Sequence, residues 1–163
     1  MAKQLMIKPE NCVGCKTCEV VCSFNHEKNF DPKNSAVSIQ VFTEASICVP
    51  VMCMQCEEAS CISICPVKAM HRSEEGTVLC DKEKCIGCKL CVNACPMGNV
   101  AFSSSARKII KCELCDGKAS CAKYCPVDAI VYTDEKDGLG RKRAMAAALK
   151  DVFGADSKAV SRI

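Results

Sequence analysis

Cys85-Ile-Gly-Cys88-Lys-Leu-Cys91-Val-Asn-Ala-Cys95-Pro96 decides how the rest of the chain is read, because it spaces four cysteines C-x2-C-x2-C-x3-C and closes them with a proline. The same spacing recurs at Cys12, Cys15, Cys18 and Cys22. Two further tetrads keep the closing x3 interval but lengthen the middle gap: x4 in Cys53, Cys56, Cys61 and Cys65, and x5 in Cys112, Cys115, Cys121 and Cys125. Pro66 and Pro126 follow their tetrads as Pro96 does, whereas Cys22 is followed by Ser23. Such internal repetition is read before secondary structure. It predicts one domain of four repeats over residues 1–133, with a cysteine-free tail over residues 138–163.

Eighteen cysteines in 163 residues suit either a disulfide scaffold or dense metal ligation. Met1 to Asn11 has one short apolar patch, Leu5 to Ile7, before Lys8 and Pro9, with no signal-peptide core or cleavage site. No run approaches the roughly 18 apolar residues of a membrane helix. The expectation is a cytoplasmic chain without a membrane span, where thiols stay reduced and serve as metal ligands. Zinc ribbons also use C-x2-C pairs, but zinc needs no third cysteine at this spacing and no proline after the fourth.

Soft thiolates at these intervals fit 4Fe-4S clusters, whose four irons each take one cysteine. Three closely spaced cysteines wrap three corners, and the tight curl between them favours Gly14 and Gly87. In two-cluster ferredoxins the fourth cysteine of each run serves the other cluster, so repeats work in pairs. Cys65 and Cys85 are twenty positions apart, which makes the second and third repeats an inner pair, residues 53–95. The expected cages there are Cys53, Cys56, Cys61 with Cys95, and Cys85, Cys88, Cys91 with Cys65. The outer pair, 12–22 with 112–125, would give Cys12, Cys15, Cys18 with Cys125, and Cys112, Cys115, Cys121 with Cys22. Sixteen thiolates against four cores of +2 carry the formal charge of +3 to about −5, which removes the basis for a nucleic-acid partner. With no Trp and few Phe or Tyr, base-stacking platforms are also scarce.

Short, partly β-branched stretches flank the repeats at Gln4 to Lys8, Val37 to Phe42, Thr77 to Leu79, Val100 to Ser103 and Ile130 to Thr133. The span from third to fourth cysteine suits one or two helical turns, stopped by Pro or a polar residue. Residues 25–45 read as a loop and hairpin. Cys48 and Cys80, each five positions before a first ligand, are expected as buried free thiols. His26 and His71 are expected near ligands or in solvent, and Lys16, Lys89, Lys111 and Lys118 as positive charges close to ligands. The tail carries Arg141-Lys-Arg and an apolar stripe of Met145, Leu149, Val152 and Phe153, which predicts a helix that docks on a partner or on this domain.

At these motifs the sequence resembles four-cluster ferredoxins that serve as electron-transfer subunits. The resemblance implies a ferredoxin-like α+β fold of two interleaved pairs of 4Fe-4S binding repeats, four clusters in all, and a larger catalytic oxidoreductase subunit as partner. Cys12-Val-Gly-Cys-Lys-Thr-Cys-Glu-Val-Val-Cys-Ser-Phe-Asn-His-Glu is similar to small subunits that accompany tungsten aldehyde oxidoreductases and tungsten benzoyl-CoA reductases of anaerobes. A tungsten pterin partner is therefore expected first. Carbon monoxide dehydrogenases, hydrogenases, a flavin or NAD subunit, another ferredoxin or a freely diffusing role are the alternatives. No nucleophile-base triad, phosphate-binding glycine loop or flavin signature is present, so no catalysis by this chain alone is expected.

Overall fold

The computed structural model describes residues 4–103 and 107–133. The helical tail expected over 138–163 lies outside the described residues.

Each repeat opens on a loop and then enters a helix with the third cysteine as its second residue. These helices are α1 (Thr17–Glu27, with Cys18), α2 (Ser60–Ser63, with Cys61), α3 (Leu90–Ala94, with Cys91) and α4 (Ser120–Lys123, with Cys121). Three of them are a single turn, because a residue preceding proline is pushed out of the α region. Cys95 before Pro96 is already extended, with ψ 111°. The expected one or two turns do not hold for α1, which runs 11 residues. Ser23 stands where the other repeats have proline, so nothing breaks the helix there. Its buried hydroxyl donates to the Val20 carbonyl at 2.9 Å. Residues 25–27 are thereby helix, not loop, and a left-handed Lys28 with φ 56° ends it.

Among the described residues eight short strands form four separate antiparallel ladders. β1 (Gln4–Ile7), β2 (Val37–Phe42), β3 (Ile47–Met52), β4 (Met70–Arg72), β5 (Val78–Cys80), β6 (Val100–Ser103), β7 (Lys108–Lys111) and β8 (Ile130–Thr133) pair as β1 with β8, β2 with β3, β4 with β5 and β6 with β7. The first ladder matches Ile7 to Ile130 and Gln4 to Thr133, which joins the two ends of the described chain. Pro50 sits inside β3 opposite Ile39. A two-stranded ladder leaves every strand an edge, where a missing N–H is tolerated.

Burial follows the same nesting. One core gathers Leu5, Val37, Ile39, Met52, Leu114 and Ile130 around cysteines of the first and fourth repeats. A second gathers Ala59, Met70, Val78, Val100 and Ile109 around Cys91. Accordingly α1 packs on α4, and α2 on α3. The result is a small α+β body in which loops, rather than sheets, face the cysteines. Among the described residues no helix is long and apolar enough to cross a membrane.

Candidate iron-sulfur centres

The loops reach the cysteines by a strained backbone. Gly14 and Gly87 have φ near +70°, and the lysine two positions on, Lys16 or Lys89, is also left-handed at φ 59° or 63°. A non-glycine residue there costs energy and concentrates at functional sites. The Gly14 position is closed to a side chain by crowding as well, since an added β-carbon would lie 2.7 Å from Cys48 Sγ. In the fourth repeat Leu114, Cys115, Asp116 and Gly117 are left-handed in succession, curling the longer x5 loop.

Three hollows result. Cys12, Cys15, Cys18 and Cys125 line one, together with Ile39 and Pro50. Cys22, Cys112, Cys115 and Cys121 line another, with Leu5 and Met52. Cys65, Cys85, Cys88 and Cys91 line the third, with Met70 and Ile109. The remaining expected set is held differently. Burial raises the Cys61 thiol, the Lys111 charge lowers it, and the neighbouring thiols of Cys53 and Cys95 raise it further. Cys56 stands in the same loop, its carbonyl accepting from Arg72 Nη2 at 2.6 Å, and the same nitrogen donates to the Glu57 carbonyl at 2.7 Å.

The donor chemistry fits a cluster. Sulfurs spread around a hollow suit a cube with an iron at each corner, and among the described residues no three His, Cys, Asp or Glu side chains converge on a single ion. Burial pushes the thiols of Cys18 and Cys112 up to about 12 and raises Cys121, with neighbouring cysteines adding to the effect. Thiols packed this closely become thiolates when cationic iron takes the place of their protons. Donors already point at several sulfurs. The Ala36 and Asn99 N–H groups reach Cys22 Sγ and Cys95 Sγ, each at 3.3 Å, and Lys111 Nζ reaches Cys53 Sγ at 3.2 Å. The Thr17 hydroxyl and N–H lower the Cys15 thiol.

The residues outside the tetrads meet expectation in part. Cys48 and Cys80 are half-buried rather than buried. Each packs against an apolar core as a small hydrophobe would, Cys48 also lying against Gly14 and Cys80 sharing the hollow of Cys65 and Cys85. The two arrive differently: β3 carries Cys48 past the first binding loop, where it crowds Gly14, whereas Cys80 ends β5 and the turn over residues 81–84 brings Cys85 back beside it. His26, carried by the extra turns of α1, pairs with Glu113 across 3.1 Å. Hydrogen bonds with Cys22 and then Glu113 raise it to about 10. His71 is exposed, its Nδ1 3.2 Å from the Ala69 carbonyl. Lys16, Lys89 and Lys118 are exposed, with Lys89 over the Phe102 ring at 4.4 Å, whereas Lys111 is buried. Lys111 shares the inward face of β7 with Ile109, but Lys108-Ile-Ile-Lys111 carries no apolar-polar alternation that would have revealed it in sequence.

Comparison with known proteins agrees with this chemistry. Over 94 residues the chain is 36% identical to the putative electron transport protein YsaA of Escherichia coli, covering 55% of this chain and 59% of that protein. It is 38% identical over 86 residues to the polyferredoxin-like subunit of the aliphatic sulfonate oxidoreductase of Pyrococcus furiosus, covering 52% and 49%. The chain thus spans about half the length of these relatives. A solved chain of the active site complex BamBC of benzoyl coenzyme A reductase is similar with a TM-score of 0.49 and 25% identity, covering 98% of this chain and 95% of that one. Residues 9–25 match the 4Fe-4S binding domain. Residues 44–135 match the 4Fe-4S dicluster domain, and with more than half of its length inside that match the chain belongs to the 4Fe-4S dicluster domain family.

Proposed function

We propose that the chain is an electron-transfer subunit of a larger oxidoreductase and that its sixteen tetrad cysteines hold four 4Fe-4S clusters. The cages are Cys12, Cys15, Cys18 with Cys125; Cys112, Cys115, Cys121 with Cys22; Cys53, Cys56, Cys61 with Cys95; and Cys85, Cys88, Cys91 with Cys65. The observation that carries this reading is that each of three hollows collects the first three cysteines of one repeat and the fourth of its partner repeat. Interleaving of this kind makes the repeats two pairs, an inner one and an outer one.

When bound, each cluster supplies one-electron oxidation and reduction. The chain's own residues hold the sulfurs, and apolar neighbours such as Met52, Met70 and Ile130 keep water away. N–H groups from Ala36 and Asn99 stabilise negative charge on the sulfurs they reach. The chain offers no substrate chemistry of its own in this reading, so a partner subunit turns over the substrate. The naming of the Pyrococcus furiosus relative as a subunit of an oxidoreductase supports that division of labour. A tungsten pterin aldehyde oxidoreductase is the first candidate, on the likeness of the Cys12 to Glu27 stretch.

Anaerobic purification from the native host, followed by measurement of iron, sulfide, zinc, tungsten and molybdenum per chain, tests the reading. About sixteen iron and sixteen sulfide are expected, with tungsten in a co-purifying large subunit. A large subunit carrying molybdenum or no pterin metal would redirect the partner. Isolation of the chain alone with full iron would make it a free carrier, and zinc without sulfide would end the electron-transfer reading.

A further inference from the structure

Lys111 is 6% exposed, at the inward end of β7 and immediately before Cys112. Its Nζ donates to the Val78 carbonyl at 2.7 Å, the Cys112 carbonyl at 2.9 Å and Cys53 Sγ at 3.2 Å. An ammonium has three N–H donors, and three acceptors surround this one. None is a carboxylate, and among the described residues none lies within ion-pair distance of it. A buried charge without a partner is costly. The Cys53 sulfur lies nearest to balance it, with the Glu113 carboxylate, which lines the same hollow as Lys111 and is held ionised in part by its charge, farther off.

The position is as telling as the burial. Cys53 opens the second repeat and Cys112 the fourth, so this one ammonium spans the inner and outer pairs. Burial raises the thiols of Cys61 and Cys112, and the Lys111 charge opposes that rise in both. Gln55, 7% exposed, fixes the same junction. Its Nε2 donates to the Cys112 carbonyl at 2.9 Å, while its Oε1 accepts from the Val78 N–H at 2.8 Å. Both backbone segments that hold the Lys111 ammonium are thereby pinned by one side chain from the Cys53 loop.

We propose that Lys111 sets the reduction potentials at the junction of the two pairs: its fixed charge favours the reduced state of both the Cys53 cage and the Cys112 cage, and Gln55 positions it. This rests on the four-cage reading above. One electron accepted from a reduced one-electron carrier leaves that carrier oxidised by one and the cage one charge more negative.

The test compares the anaerobically purified full chain with its Lys111→Gln and Lys111→Arg variants by redox titration followed by electron paramagnetic resonance, with iron and sulfide counted on each. The expected result is full iron in all three, two of four midpoint potentials lowered in Lys111→Gln, and both restored toward wild type in Lys111→Arg. Unchanged potentials in a fully loaded Lys111→Gln protein overturn the role of Lys111. A wild-type chain short of four clusters overturns the underlying reading instead, and the iron count tells the two apart. Should Lys111→Gln fail to load, pulsed resonance on wild-type protein containing [ζ-15N]lysine decides. Coupling of one lysine Nζ to the reduced clusters upholds the proposal, and its absence overturns it.

Discussion

Gly14 and Cys48 are in contact across the first binding loop: a β-carbon on Gly14 would approach Cys48 Sγ to 2.7 Å, and Gly14 itself has φ +68°. Gly14→Ala therefore suffers both a left-handed backbone, worth about 1–2 kcal/mol, and a clash with a strand residue. We expect lower thermal stability and a loss of iron from this loop. Adding Cys48→Ala should recover the steric part alone. Equal stability of the single and double variants would place the whole effect in the backbone.

In the proposed assignment Cys48 and Cys80 stand beside cages whose four positions other cysteines would fill. Replacing either with Ala should leave the iron content at the wild-type value, while Cys85→Ala should lower it by about four iron per chain. A fall in iron with Cys80→Ala would make Cys80 a ligand and redraw the third hollow.

Glu19 is buried, and its Oε1 accepts the Ile39 N–H at 2.6 Å, tying α1 to β2. Glu19→Ala leaves that buried amide without a partner, at a cost of about 1–3 kcal/mol. Glu19→Gln keeps an acceptor and should lose much less. Denaturant unfolding of the two loaded variants measures the difference.

Ser23 lets α1 continue where proline ends the other three helices. Ser23→Pro should remove a helical hydrogen bond and clash one turn back, costing about 3 kcal/mol. Far-ultraviolet circular dichroism should register a shorter α1. The same change would withdraw His26 from Glu113. A variant as stable and as helical as wild type would refute proline as the element that limits the other helices.

The cysteine groupings are legible in sequence because ligand spacing is a local property, and the strands from Val37 to Phe42, Val100 to Ser103 and Ile130 to Thr133 carry β-branched or apolar alternation. Their partners are harder to see. β4 contains His71 and Arg72, β7 is bounded by lysines, and β3 holds Pro50, so each looks unlike a strand until a neighbour supplies its hydrogen bonds. Lys111 is hidden for a related reason. Nothing near it in sequence announces that Val78 and Cys53, from distant segments, will surround its ammonium. The extra length of α1 had a local sign in Ser23, but what the extension delivers, His26 beside Glu113, depends on the fourth repeat.

The ladder between β1 and β8 also bears on how such a chain is made. A ribosome adds roughly 5–20 residues per second, so the first strand emerges well before the strand it will pair with. The inner repeats lie wholly between those strands and have all their mutual contacts as soon as residues up to about β6 are out. The outer repeats must wait for the final strand. Until it arrives Cys12, Cys15 and Cys18 are without Cys125 in the hollow they share, and an interrupted synthesis would leave a half that is finished in the middle and open at its beginning.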